Sequence, residues 1–209
     1  MIGDKVQLNE KYLQPARLIY EKYQDIIKPG FTLSIAGESG SGKSTLALAL
    51  QHVLLENGSK AMVLHMDDYF KLPPTSNHNK RLEDIGWVGP GEVHLDVLQN
   101  HLEAFKSGAP EIEKPLVYYA ENEIKRETLD FTQTDVLLIE GTYTAILKVD
   151  LSIFISRTYL DTYADRVKRA RDPITPFVEQ VLEIEHQIIA RQGEKANVII
   201  DKNFEIKFC

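Results

Sequence analysis

Phe31-Thr-Leu-Ser-Ile-Ala-Gly37-Glu38-Ser39-Gly40-Ser41-Gly42-Lys43-Ser44-Thr45 decides how the rest of the chain reads. A short apolar run ends in Gly37, Gly42-Lys43-Ser44 follows, and an apolar helical pattern then runs from Leu46 to Leu55. Gly-x-x-x-x-Gly-Lys-Ser between a strand and a helix is the spacing of a phosphate-binding loop. Glycines at 37, 40 and 42 permit backbone angles that turn successive N–H groups inward around an anion. The N-terminus of the following helix adds positive dipole at the same place. Lys43 is then a point charge for the β- and γ-phosphates of ATP, and the Ser44 hydroxyl is placed to ligate Mg²⁺. The expected nucleotide-binding set is Gly37, Glu38, Ser39, Gly40, Ser41, Gly42, Lys43, Ser44 and Thr45. The bland alternative is a Gly/Ser-rich turn with no ligand.

Two further strands end in carboxylates. Ala61-Met-Val-Leu-His65 reads as a buried strand running into Met66-Asp67-Asp68-Tyr69-Phe70. Open α/β sheets bind ligands at the carboxyl ends of their strands, so chemistry is expected there. Asp67 can accept a proton from a hydroxyl nucleophile or hold Mg²⁺, directly or through water; a solvated loop carboxylate or a helix cap is the alternative. Asp135-Val-Leu-Leu-Ile-Glu140-Gly141 is another apolar run closing on a carboxylate. Beside a phosphate loop, Glu140 is expected to hold Mg²⁺ or its water shell. A buried Glu at a strand end without a cationic partner would be costly.

Farther out, Arg166, Lys168, Arg169 and Arg171 concentrate positive charge on one helix ending before Pro173. Residues 158–173 therefore read as a lid whose Arg166, Arg169 and Arg171 neutralise the phosphoryl oxygens during transfer, or as a solvated helix with Asp161 and Asp165 as partners. Residues 111–131 read as a hairpin of two extended runs, with Tyr118, Tyr119, Lys125 and Arg126 as candidates for contact with the phosphate acceptor or as ordinary cross-strand pairs. Residues 71–94, with Pro73-Pro74 and Gly86-x-x-Gly89-Pro90-Gly91, show no periodicity and read as a long functional loop. Trp87 within it either stacks on a substrate or anchors the loop. Residues 9–27 form an amphipathic helix, expected to pack on the core, with a homo-oligomer contact as the alternative. Leu151–Ile155 and 197–201 complete the strands, and 204–208 reads as a short edge strand.

The chain has 209 residues, a formal charge of −7 and one cysteine, Cys209. Its length suits one domain with a sizeable core. The acidic balance argues against nucleic acid as a partner, because such a footprint would be basic. A single cysteine makes no internal disulfide, no apolar run is long enough for a membrane span, and no apolar signal core opens the chain, so a cytoplasmic location is expected.

Taken in order, Gly37–Ser44, Asp67–Phe70, Asp135–Gly141 and the basic helix ending Arg171-Asp172 resemble the uridine kinase and phosphoribulokinase group of phosphate-loop kinases. The likeness covers roughly residues 31–201. It implies an α/β P-loop NTPase fold, with a five-stranded parallel sheet in order 2-3-1-4-5 flanked by helices. It also implies MgATP as co-substrate, Asp67 as catalytic base, Ser44, Asp67 and Glu140 as Mg²⁺ ligands, and lid arginines among Arg166, Arg169 and Arg171. The adenine pocket would lie near Asp201–Phe204. The expected acceptor contacts are Asp67, Tyr69, Tyr118 and Arg126, and of the hairpin residues only Tyr118 matches the family's pattern clearly. Departures fall on the acceptor side. Asp67-Asp68-Tyr69-Phe70 stands where uridine kinases read Asp-Ser-Phe-Tyr. Tyr118-Tyr119-Ala120-Glu121-Asn122-Glu123 replaces Tyr-Asp-Phe and the His-Ser-Arg element, and Ala170 replaces the glycine before Arg171.

The sequence thus predicts an ATP:alcohol phosphotransferase with a small-molecule acceptor. A nucleoside such as uridine or cytidine leads, and pantothenate, glycerate or a sugar derivative stays open. A GTP-dependent switch would need Asn-Lys-x-Asp, whereas Asn79-Lys80 is followed by Arg81-Leu82. A nucleotide-binding regulatory protein of reduced catalysis is the remaining alternative.

Overall fold

A computed structural model describes residues 8–169 and 175–209, with side chains through Val167 in the first span. The elements are α1 (Glu10–Tyr23), β1 (Phe31–Gly37), α2 (Lys43–Glu56), β2 (Ala61–His65), α3 (Pro74–Glu83), α4 (Leu95–Lys106), β3 (Glu111–Tyr118), β4 (Glu123–Asp130), β5 (Val136–Gly141), β6 (Leu151–Ile155), α5 (Tyr163–Arg169), α6 (Pro176–Ile189), β7 (Val198–Ile200) and β8 (Ile206–Phe208).

The central sheet runs β2-β5-β1-β6-β7-β8. Its first five strands are parallel, and β8 pairs antiparallel with β7 at one edge. Counting these strands alone, the expected order 2-3-1-4-5 holds, with the antiparallel edge strand added. Helices cover both faces, so the central strands are apolar along their whole length rather than alternating. β1 and β5 are buried at every position. Period-two geometry still sorts their side chains. Val136 and Leu138 join Ala16, Ile19, Leu46 and Leu50 beneath α1 and α2. Leu137 and Ile139 join Leu64, Leu98, Leu102 and Tyr143 beneath α4.

This order has one consequence for chemistry. β2, β5 and β1 are neighbours, so the segments leaving their carboxyl ends share one edge. Those segments hold Asp67, Glu140 and the phosphate loop. Among the described residues, no helix is long and apolar enough to cross a membrane.

One expectation needs correction. Residues 71–94 are not a long irregular loop: they contain α3 and two short 3₁₀ turns, at Ile85–Trp87 and Pro90–Glu92. α3 lacks an apolar stripe, and Asn77 is its only buried residue, so periodicity could not reveal it. It is held by polar contacts from elsewhere. Asn122, at the tip of the β3–β4 hairpin, accepts the Thr75 N–H at 2.8 Å and so caps the helix from outside its own sequence. Trp87 is an anchor here, its indole N–H donating to Asn77 Oδ1 at 2.9 Å.

Candidate active site

The phosphate loop leaves β1 at Gly37 and enters α2 at Lys43. Gly42, the residue before the helix, sits at φ 105°, a left-handed angle that glycine adopts without strain. It is also crowded, since a Cβ there would lie 2.5 Å from the Tyr12 hydroxyl. α1, which precedes the loop, therefore braces it, as well as packing Ala16 and Ile19 into the core. Lys43 Nζ donates to the Glu38 carbonyl at 2.9 Å, which spans the ammonium across the loop.

Glu140 closes β5 and is buried, at 4 % exposure. The Ser44 hydroxyl donates to its Oε1 at 3.1 Å, and His65 Nδ1 lies 2.7 Å from the same oxygen. The parallel register makes His65 the partner of Glu140 across β2–β5, so the contact follows from the sheet itself. Burial alone would raise the Glu140 pKa. The hydrogen bond from His65, the Lys43 charge, the His65 charge and the Ser44 hydroxyl outweigh it and hold the carboxyl below its ordinary range. Glu140 is a buried carboxylate kept ionised one hydrogen bond from the serine of the loop.

Asp67 and Asp68 lie on a single 3₁₀ turn, Met66–Tyr69, directly after β2. That turn can approach β5 because residue 141 is glycine: a Cβ there would lie 2.3 Å from Met66 Cβ. The adjacent carboxylates differ in fate. Asp68 is buried, pairs with Lys114 Nζ at 2.8 Å, and accepts the Val117 N–H at 3.2 Å. It fastens the hairpin to the sheet. Asp67 is half-buried, and its charge acts on Tyr143 and on Glu185 of α6.

The lid segment docks on the loop through Glu38. One Glu38 oxygen lies 2.6 Å from His186 Nδ1 of α6, and the other accepts the Tyr159 N–H. The Thr162 hydroxyl donates to the Ser39 carbonyl at 3.1 Å. Arg166 is buried against the loop: a Cβ on Gly40 would lie 3.0 Å from its Cγ, and its Nη2 donates to Glu179 at 3.0 Å. Arg157, not foreseen from sequence, is also buried there. It donates to the Ser41 carbonyl at 3.4 Å, pairs with Asp165 at 2.9 Å, and lies over the Phe204 ring. Arg171 and the side chain of Arg169 fall outside the described residues.

On the acceptor side the structure redraws the expected set. Tyr69 is fully buried with its hydroxyl 2.8 Å from His101 Nδ1, and burial drives its pKa upward. It belongs to the core, which corrects its assignment to the acceptor. Arg126 is 73 % exposed at its side chain and paired with Glu113 at 2.7 Å on the hairpin. That is a cross-strand pair of the kind expected as its alternative. Tyr118 ends β3 with the Lys125 ammonium 4.6 Å above its ring.

Beside Ser39 of the phosphate loop, the structure gathers charged residues that sequence reasoning missed. Arg81 Nη2 donates to Glu92 at 2.8 Å and to Glu185 at 3.1 Å, joining α3, the 3₁₀ turn at 90–92 and α6. No sequence motif marks them, because 104 residues separate Arg81 from Glu185. His65 was readable in principle, as the last residue of a strand beside one ending in a carboxylate.

Comparison with known proteins agrees with this geometry. Residues 32–203 match the model of the Phosphoribulokinase / Uridine kinase family. A bifunctional alpha-galactosidase/sucrose kinase of Mediterraneibacter gnavus is 32 % identical over 210 residues, covering 91 % of this chain. The chain spans only 22 % of that protein's length. A uridine kinase of Staphylococcus epidermidis is 26 % identical over 181 residues, covering 80 % of this chain and 86 % of the enzyme. Among solved structures, one described as a possible uridine kinase from Bacillus stearothermophilus superposes with a TM-score of 0.63 at 21 % identity, covering 89 % of this chain and 97 % of that one. At that identity the likeness supports the fold.

Proposed function

The chain belongs to the phosphoribulokinase / uridine kinase family, and from that premise we propose that it transfers the γ-phosphoryl group of ATP to a hydroxyl of a small molecule. The observation that carries the reading is the Ser44–Glu140 contact of 3.1 Å, with Glu140 held ionised on the sheet edge that also presents Asp67.

The nucleotide's phosphates occupy the loop 37–45, gripped by main-chain N–H groups and by Lys43. Asp67 takes the proton of the acceptor hydroxyl. The acceptor oxygen forms a bond to the γ-phosphorus as the bond to the ADP oxygen breaks. Ser44, Glu140 and Asp67 are the residues that would hold Mg²⁺. A serine hydroxyl and carboxylates suit a hard cation that keeps several waters and takes one or two protein carboxylates beside phosphate oxygens. When bound, Mg²⁺ neutralises charge on the phosphoryl oxygens. Arg166 supplies positive charge from the lid base, and we assign Arg169 and Arg171 to the same task. Water is excluded when the lid lies on the loop, so positioning and charge stabilisation account for most of the rate.

Two acceptor classes have support. The family match and the uridine kinase relative favour a nucleoside. The 32 % identity to a protein described as a sucrose kinase, over nearly the whole chain, favours a sugar hydroxyl. An ADP-release screen over nucleosides, sugars, pantothenate and glycerate tests the reading, with Lys43→Ala as blank. ADP production that rises with one acceptor above the water-driven background is expected. A flat response to every acceptor, with ATP bound, would instead favour a regulatory protein of reduced catalysis. We further propose a cytoplasmic location and no nucleic-acid or membrane partner.

A further inference from the structure

Between α3 and α6 lies a cavity of ≈ 190 Å³, bounded by Ser39 of the phosphate loop and by Asn77, His78, Arg81, Phe177 and Glu185. It is below the roughly 300 Å³ at which pockets for drug-sized ligands begin, and suits a single small ring. Arg81 and Glu185 bring opposite charges to its wall, and Glu92, outside the lining, is bonded to Arg81. Glu92 is fully buried, and Glu185 is 8 % exposed. Asn77 Nδ2 donates to Glu92 at 2.6 Å, which fixes the amide. The bonds from Arg81 to the two glutamates use Nε and Nη2 and leave Nη1.

Two observations tie this cavity to the transfer site. Ser39 of the phosphate loop lines the cavity together with Glu185, and the charges of Lys43 and Asp67 both act on that carboxyl. Among the described residues, the buried Tyr143 hydroxyl has no hydrogen-bond partner, and it lies under the charges of Glu185, Glu92 and Asp67. A buried hydroxyl left unsatisfied is costly, and native structures keep few of them, so it marks a place where polar contacts are incomplete. Among the described lining residues, the carboxylate is Glu185 and the guanidinium is Arg81, and Arg81 is already bonded to both Glu185 and Glu92. An anionic acceptor therefore gains little from Arg81, and a neutral one with several hydroxyls would find acceptors and donors already oriented.

We propose, resting on the kinase reading above, that this cavity is the acceptor subsite and selects a neutral, polyhydroxylated ring of sugar type, its hydroxyls read by Glu185 and the Arg81 guanidinium. Glu185 is then a specificity-determining residue. The Arg81–Glu92 pair sets its position.

Titration calorimetry with MgADP bound tests this without requiring turnover. The neutral probes are glucose, fructose, sucrose and uridine; the anionic probes are glycerate, pantothenate and glucose 6-phosphate. At least one neutral sugar is expected to bind, with every anionic probe weaker. Glu185→Gln keeps the shape and removes the carboxylate. It should weaken that sugar about tenfold, as loss of a charge-assisted hydrogen bond does, while MgADP affinity stays within about twofold. Val178→Phe, which fills the cavity from its wall, should abolish sugar binding while MgADP still binds. Tighter binding of an anionic probe, or sugar binding indifferent to both variants, overturns the proposal. So does failure of every neutral probe to bind the wild-type protein. Sugar binding without ADP release would leave the cavity assignment standing and sink the kinase reading. ADP release with anionic acceptors alone would do the reverse.

Discussion

The phosphate side and the acceptor side of this molecule are built from different materials. The loop 37–45 is mostly backbone, set by glycine angles and by a helix start, with few side chains involved. The region around α3 and α6 is mostly side chain, with Arg81, Glu92, Glu185 and Asn77 drawn from three segments into one buried charged cluster. A backbone cradle recognises what every phosphate shares. A side-chain cluster can be recomposed one residue at a time without disturbing the cradle, and it is in that cluster that we propose acceptor specificity is set.

The largest expected effects fall on the phosphate side. Lys43→Ala should abolish measurable turnover. Asp67→Asn should cut kcat by about 10²–10⁴, the usual worth of a general base, while nucleotide affinity is kept. Near-full activity of Asp67→Asn in single-turnover assays would remove Asp67 from the mechanism and erase the functional half of the contrast.

Next comes the charged cluster. Arg81→Met leaves Glu92 and Glu185 buried without their cation. Breaking a buried pair this way costs about 3–5 kcal/mol. For a chain of this size that lowers Tm by roughly 10 °C. A shift of only a degree or two in a thermal melt would mean that the cluster is not a structural unit.

Glu185 sharpens the comparison through pH. Burial, with the charges of Glu92 and Asp67 adding to it and those of Arg81 and Lys43 opposing, pushes its pKa up to about 7. A carboxyl with a raised folded pKa binds its proton more tightly in the folded state. Its contribution is complete below the unfolded value near pH 4.5 and is lost as pH rises through 7. Glu185→Gln should therefore unfold at higher denaturant than wild type at pH 8, by up to about 3 kcal/mol, and the gain should shrink toward pH 5. Equal gains at both pH values would mean that Glu185 titrates normally. Glu140 runs the opposite way: its pKa is depressed, so its stabilisation is present at neutral pH and lost as pH falls through the depressed value.

The smallest effect expected is at Asn122. Asn122→Ala removes the external cap of α3 and should cost about 1 kcal/mol in chemical denaturation. No loss would show that the hairpin tip does not hold α3.

The same contrast explains what could be read before the structure. The phosphate loop and the strands running toward Asp67 and Glu140 were legible because each depends on neighbours in sequence and on a continuous apolar run, whereas the sheet order came from the family resemblance. Arg81, Glu92 and Glu185 were not legible, because their contacts span 11 residues in one case and 104 in the other and follow no periodic pattern. α3 was missed for the same reason: its partners are Asn122, Glu92 and Trp87 rather than an apolar face. Tyr69 was misassigned because its place in the motif does not say that the side chain turns into the core.

Gly141 carries a consequence of its own. The turn bearing Asp67 rests against this residue with no room for a methyl group. The spacing between the proposed base and the carboxylate at the end of β5 is therefore gauged by an atom that is not there. Any larger residue at 141 would wedge the two acids apart, a fault that no adjustment of the phosphate loop could mend.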